Sequence, residues 1–188
     1  MNILGEDTKF IVGKKYPEVL TVKNNGTIDE YVRVEIRKYW TTDNSAEDNT
    51  KKQHKRNPSL IKLELDDSWV LNTKESTTER TVLYYPNILK ADPENPANGA
   101  ETPAFLKSIT IDNAIKTFAV QSETEREEEV DGEKIKVKTV TTTYTYNDLN
   151  FVIEVRVDAV QTHNAAAAIK SAWGQQVTVG SDGTLSFN

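Results

Sequence analysis

The chain contains no cysteine. That removes disulfide staples, thiolate metal sites and thiol nucleophiles together. Histidine is almost as scarce. Only His54 and His163 occur, and neither belongs to an HExxH motif, so no recognisable zinc-protease ligand set exists. Asp158 stands near His163 in sequence, but nothing places a serine with them, so a serine triad is not supported. The 8 glycines form no phosphate-binding loop, and the calcium-loop spacing D-x-[DN]-x-[DN]-G is missing. Asp66, Asp67 and the carboxylates between 123 and 133 read instead as solvated turn and arm residues. The reading is therefore of a non-enzyme with no cofactor and no metal. No apolar run approaches the roughly 20 residues of a membrane helix, so no membrane span is expected. The opening MNILGEDTKF lacks the basic region and apolar core of a signal peptide. A net charge of −6 argues against general nucleic-acid binding. One basic run, Lys51, Lys52, His54, Lys55 and Arg56, has the composition for a weak polyanion contact, but no aromatics are interleaved with it, and a solvated loop is the plainer reading.

What is present points to a mostly β domain. With 188 residues, 37% hydrophobic and 28% charged, the chain suits one polar globular domain, two β layers thick with wet outer faces. Phe10 to Val12 and Glu18 to Lys23 read as strands separated by Gly13 and Pro17, and Asn25-Gly26 as a tight turn using positive φ. Glu30 to Trp40 alternates, with Val32, Val34 and Ile36 on one face and Tyr31, Arg33, Glu35 and Arg37 on the other. Residues 41–58 are a polar loop. Leu60 to Leu65 alternates again, with Trp69-Val70-Leu71 as its continuation. Arg80 to Tyr85 is a strand ended by Pro86, residues 91–103 are a loop, and Ser108 to Ile111 is a further strand.

The densest pattern lies between Phe151 and Gly174. Phe151, Ile153, Val155, Val157 and Ala159 alternate with Glu154, Arg156 and Asp158, which predicts a strand with its apolar face on a core. Asn164 then caps a short helix, about 164–173, bearing Ala165, Ala168, Ile169, Ala172 and Trp173 on one face. Gly174 stands at the left-handed C′ position, and Trp173 is expected over the edge of a sheet. Gln175–Val179 and Thr184–Phe187 flank Ser181-Asp182-Gly183 as a final hairpin.

Thr117 to Tyr146 can be registered as a hairpin. Asp131-Gly132 signals a two-residue turn, and counting outward opposes Glu129 to Lys134, Glu127 to Lys136 and Glu125 to Lys138. Both faces of its tip are polar, so it should project from the body as a charged arm, about 121–142. Nine or ten strands and one helix favour a jelly-roll-like β-sandwich over a barrel. No repeat or linker argues for a second domain.

The runs TVKNNGTIDEYVRVEIRKYW, ERTVLYYPNIL followed by TPAFLKSITID, and VDAVQTHNAAAAIKSAWG resemble the SipW-dependent exported proteins of Gram-positive bacteria. These are the TasA/camelysin group, with clostridial BsaA-type biofilm matrix proteins as the nearest likeness. The resemblance touches most of residues 18–174, apart from the 41–58 loop and the arm. It implies a secreted jelly-roll subunit, its signal peptide removed, that polymerises head-to-tail into extracellular matrix fibres. Assembly would proceed by donor-strand complementation, with other matrix proteins as minor or anchoring partners. Camelysin-like members have been classed as metallopeptidases, but this chain offers no zinc-binding pair for that activity. On this reading residues 1–13 form an extended segment ahead of a single body at 14–188. EDTKFIV can make a short strand, with Thr8, Phe10 and Val12 on one face and Ile11 between them, either donated to a neighbour or the ordinary first strand of its own sheet, and Gly13 is its flexible exit. The alternative is a monomeric cell-surface adhesin that binds a host or matrix partner through its loops and charged arm.

Overall fold

The computed structural model describes residues 10–42, 49–130 and 133–187. Among them the chain forms β1 (Lys15–Leu20), β2 (Glu30–Thr41), β3 (Ile61–Leu65), β4 (Val70–Leu71), β5 (Arg80–Tyr84) and β6 (Leu106–Ile111). There follow β7 (Ala119–Val130), β8 (Glu133–Tyr144), β9 (Asn150–Gln161), the helix α1 (Ala165–Trp173), β10 (Val177–Val179) and β11 (Leu185–Phe187). A three-stranded sheet of order β1-β6-β3 packs on a four-stranded sheet of order β4-β5-β2-β9, and every pairing is antiparallel. The all-β sandwich with one short helix expected from the sequence is the fold.

Period-two patterning explains the layers. Val32, Val34, Ile36 and Trp40 turn one face of β2 into the sandwich interior, where Leu83, Ile61, Leu106, Ile109 and Ile111 meet them. Val34, Ile36 and Ile61 are fully buried, and each such side chain contributes roughly 1.5–3 kcal/mol. The polar tips of the buried indoles are satisfied: Trp40 Nε1 donates to the Asn57 carbonyl at 2.9 Å, and Trp69 Nε1 to that of Pro103 at 3.1 Å. The opposite face of the same sheet carries a second, smaller core. Tyr31, Val82 and Tyr84 pack there against Ala165, Ile169, Trp173 and Leu185.

Several local readings are corrected. Phe10 to Val12 is not a strand: its backbone turns, with the Lys14 N–H donating to the Ile11 carbonyl at 3.1 Å. Pro17 does not separate strands but sits within β1, an edge strand, where its missing donor is tolerated. Neither Asn25 nor Gly26 takes a positive φ, and β1 and β2 belong to different sheets. The organiser there is Asn24, 2% exposed, whose Nδ2 donates to the carbonyls of Ile28 (2.9 Å) and Leu89 (3.0 Å), while its Oδ1 accepts from the Gly26 N–H at 2.8 Å. Gly99 closes over this crossing, because a Cβ there would lie 1.8 Å from the Asn24 carbonyl oxygen. Trp69-Val70-Leu71 does not continue β3. The chain turns at Asp66, and β4 joins the other sheet beside β5.

The helix and its C′ residue match the pattern, with Gly174 at φ +70° donating its N–H to the Lys170 carbonyl. Asn164 is the N-cap by position only. Its own backbone is left-handed (φ +51°), not extended as a capping side chain requires, and its side chain makes no capping bond. Trp173 lies over the sheet's face, not its edge, 5.5 Å from the Tyr84 ring and under the Arg33 guanidinium.

Candidate functional site

β9 is the edge of the four-stranded sheet. It pairs with β2 along its full 12 residues, from Glu30↔Gln161 to Thr41↔Asn150, and no strand among the described residues flanks its other side. An edge of that length presents a row of unpaired main-chain donors and acceptors, which is a template for another strand.

The register sets Phe151, Ile153, Val155, Val157 and Ala159 on the face that β2 turns into the sandwich. Phe151 and Ile153 are partly buried there. Val155 and Val157 are 39% and 45% exposed, although their β2 partners Ile36 and Val34 are fully buried. The expectation that this whole face rests on a core is thus corrected. The opposing layer has three strands against four, and the middle of β9 extends past its cover. An open edge and an apolar inner face left without a lid meet on the same strand. The other face of β9 is polar and braced: Tyr39 donates to Glu154 at 2.7 Å, and Asp158 accepts from Arg33 at 2.7 Å and Arg156 at 2.9 Å. Burial pushes the Asp158 carboxyl up, but the hydrogen bonds from Arg33 and Arg156 outweigh it and hold the group below its ordinary value.

The N-terminal residues read as a donor strand reach this place from one end. Thr8 lies outside the described residues. Phe10 is packed into its own subunit, 4.8 Å from the ring of Phe151 at the start of β9 and 4.0 Å from Tyr16. Ile11 is 50% exposed, and its N–H donates to the Tyr16 hydroxyl at 2.9 Å. Val12 lines an open pocket of about 430 Å³ with Ile115, Lys116, Tyr144, Tyr146 and Asn147. Gly13 then turns the chain at φ +86°, with its N–H bonded to the Ile111 carbonyl at 2.8 Å.

The arm has the register read from the sequence, from Ala119↔Tyr144 through Glu125↔Lys138 and Glu127↔Lys136 to Val130↔Glu133. The turn residues Asp131 and Gly132 lie outside the described residues. Lys138 forms its ion pair diagonally with Glu123 at 2.6 Å, rather than with Glu125 directly opposite. Most of the arm's described side chains are exposed.

The basic run is less available than its composition suggests. Lys52 pairs with Glu79 and lies 5.0 Å from the Tyr39 ring, and Arg56 stacks 5.6 Å from the Tyr146 ring with a buried Nε that has no partner. Lys51, His54 and Lys55 are exposed, as is His163. Asp66 is engaged by Lys107 at 2.7 Å and by Ser68, which hold its carboxyl far below the usual range. Among the described residues no three His, Cys, Asp or Glu side chains converge as metal ligands, and no helix is long and apolar enough to cross a membrane.

The uncovered middle of β9 escaped the sequence reading because alternation reports which side chains share a face, not how wide the opposing sheet is. Compared with known proteins, the chain matches no protein-family model, no curated protein and no solved structure.

Proposed function

We propose that the chain is a structural, non-catalytic subunit of extracellular matrix fibres that polymerises head-to-tail by strand donation. The observation that carries this reading is β9, whose 12-residue free edge coincides with uncovered Val155 and Val157 on its inner face. A donated strand would satisfy that edge with main-chain hydrogen bonds and bury those side chains with its own.

The donor is the N-terminal segment ending at Gly13. In the isolated subunit Phe10 occupies its own Tyr16 and Phe151. In the fibre it leaves that place and takes the matching one in the next subunit. Such a contact is heterologous and does not close, so it propagates. The exchange replaces like with like at Phe10, and the net gain comes from covering β9. The resemblance to exported matrix proteins agrees with this reading and adds secretion to the cell surface or matrix.

Negative-stain microscopy and size exclusion at raised concentration test it: fibres are expected, and a concentration-independent monomer would hand the lead to the adhesin reading. Removing residues 1–12 should abolish fibres, because it takes away the donor. A Phe10→Cys, Phe151→Cys variant, oxidised after assembly, should give disulfide-linked ladders. Only intramolecular crosslinks would sink donation.

The adhesin alternative has one observation in its favour. Phe118, Val120 and Tyr144, at the base of the arm, are 43%, 61% and 50% exposed.

A further inference from the structure

The arm formed by β7 and β8 is a two-stranded ribbon with 12 residues in each strand, and among the described residues no third strand joins either side. A ribbon of this kind, with little apolar side chain beneath it, is marginal in water by itself. Its two free edges differ in charge. The β7 edge carries Glu123, Glu125, Glu127 and Glu129, and the β8 edge carries Lys136 and Lys138. The register places Glu125 opposite Lys138 and Glu127 opposite Lys136, so all these side chains rise from one face of the ribbon. That face is acidic along one border and basic along the other.

We infer that the arm is a lateral contact between copies of this chain, in which the acidic β7 edge of one arm pairs with the basic β8 edge of another. Two arms lying side by side and pointing the same way bring β7 of one antiparallel to β8 of the other, with their charged faces on the same side. Like edges cannot pair so. β7 against β7 opposes carboxylates, β8 against β8 opposes ammonium groups, and like charges directly opposite are destabilising. The border charges therefore choose the partner edge as well as attract it. Lys138, already paired diagonally with Glu123 at half-exposed side chains, can exchange that partner for a carboxylate on a neighbouring arm. The contact is separate from β9 and the N-terminal donor. It joins subunits sideways, so it operates whether or not head-to-tail growth occurs.

The test uses the full chain carrying Val157→Asp, to suppress head-to-tail growth, followed by sedimentation velocity. Self-association is expected at about 0.01 M salt and should vanish at about 1 M, as the screening length falls from roughly 30 Å to 3 Å. Deleting 125–138 should remove it at all salt concentrations. A fivefold exchange, Glu123→Lys, Glu125→Lys, Glu127→Lys, Lys136→Glu and Lys138→Glu, keeps both the opposed pairs and the diagonal pair within the arm and should self-associate like the parent. A parent that stays monomeric at low salt, an association indifferent to salt, or an exchanged chain that does not self-associate would each overturn the inference. Far-ultraviolet circular dichroism of the exchanged chain checks that the strands persist.

Discussion

Replacing Val157 by aspartate separates the stability of the subunit from its assembly. Val157 is 45% exposed, so about half of the roughly 1.5–3 kcal/mol that a buried valine contributes is realised in the isolated chain. Val157→Asp should therefore cost the monomer about 1 kcal/mol, small beside a domain stability of roughly 5–15 kcal/mol. Val34, its direct partner on β2, is fully buried, and Val34→Asp should unfold the chain by stranding a charge in the core. In the fibre the order changes. Once a donated strand covers β9, the carboxylate introduced by Val157→Asp would be buried without a partner, costing roughly 3 kcal/mol or more. At about 1.4 kcal/mol per decade, the concentration needed for polymerisation should rise by about 100-fold. Urea unfolding reports the first number, and light scattering across a dilution series, with microscopy, reports the second. Fibres growing at the parental concentration from a monomer weakened by only about 1 kcal/mol would refute β9 as the acceptor. A monomer crippled as badly as Val34→Asp would show instead that β9 is covered.

Asn24→Ala should destabilise the domain by about 1–3 kcal/mol, since it removes the side-chain partner of the Ile28 carbonyl and of the Gly26 N–H, while the Leu89 carbonyl keeps the Glu30 N–H; chemical denaturation measures it, and an unchanged stability would contradict that role. Deleting 125–138 should leave the melting temperature nearly unchanged, because little apolar surface is lost with the arm. Asp158 titrates below its ordinary value in the folded chain, so it stabilises above the ordinary value and loses that contribution as pH falls through the depressed one. Asp158→Asn should accordingly flatten the acid limb of the stability profile below about pH 4, and a limb identical to the parent's would show that the Arg33 and Arg156 bonds carry no linkage. Purified protein should leave casein intact; chelator-sensitive cleavage that disappears in a His54→Ala, His163→Ala variant would reverse the non-catalytic reading.

Which parts of this fold were legible follows from the range of the forces involved. β2 and β3 declare themselves through side-chain alternation, a local signal, β5 is a short apolar run ended by Pro86, and the arm's register follows from counting outward from one turn. The Gly174 C′ position is also local chemistry. Sheet membership is not. β4 follows β3 after four residues yet joins the other layer, and nothing in Trp69-Val70-Leu71 encodes that. The same limit hid the proposed acceptor surface, since the exposure of Val155 depends on strands remote in sequence. At Asn25-Gly26 a strong turn signal was overruled by Asn24, whose hydrogen bonds to Ile28 and Leu89 depend on a neighbour that sequence proximity does not supply.

β2 is the strand on which both cores meet, and its two partners arrive at different times. β5 follows it after β3 and β4, whereas β9 closes its other side only after β6 and the whole arm have also been made. A chain synthesised or exported from its N-terminus thus spends most of its passage with one flank of β2 open. The α1 layer comes later still and settles on a sheet already assembled. Through that interval the flank of β2 displays the pattern that β9 displays in the finished subunit: a long edge with valines and isoleucine on one face. An emerging chain is consequently exposed to capture by a neighbour's strand before it is complete, and on the proposed fibre reading, delivering such chains singly would be part of correct assembly.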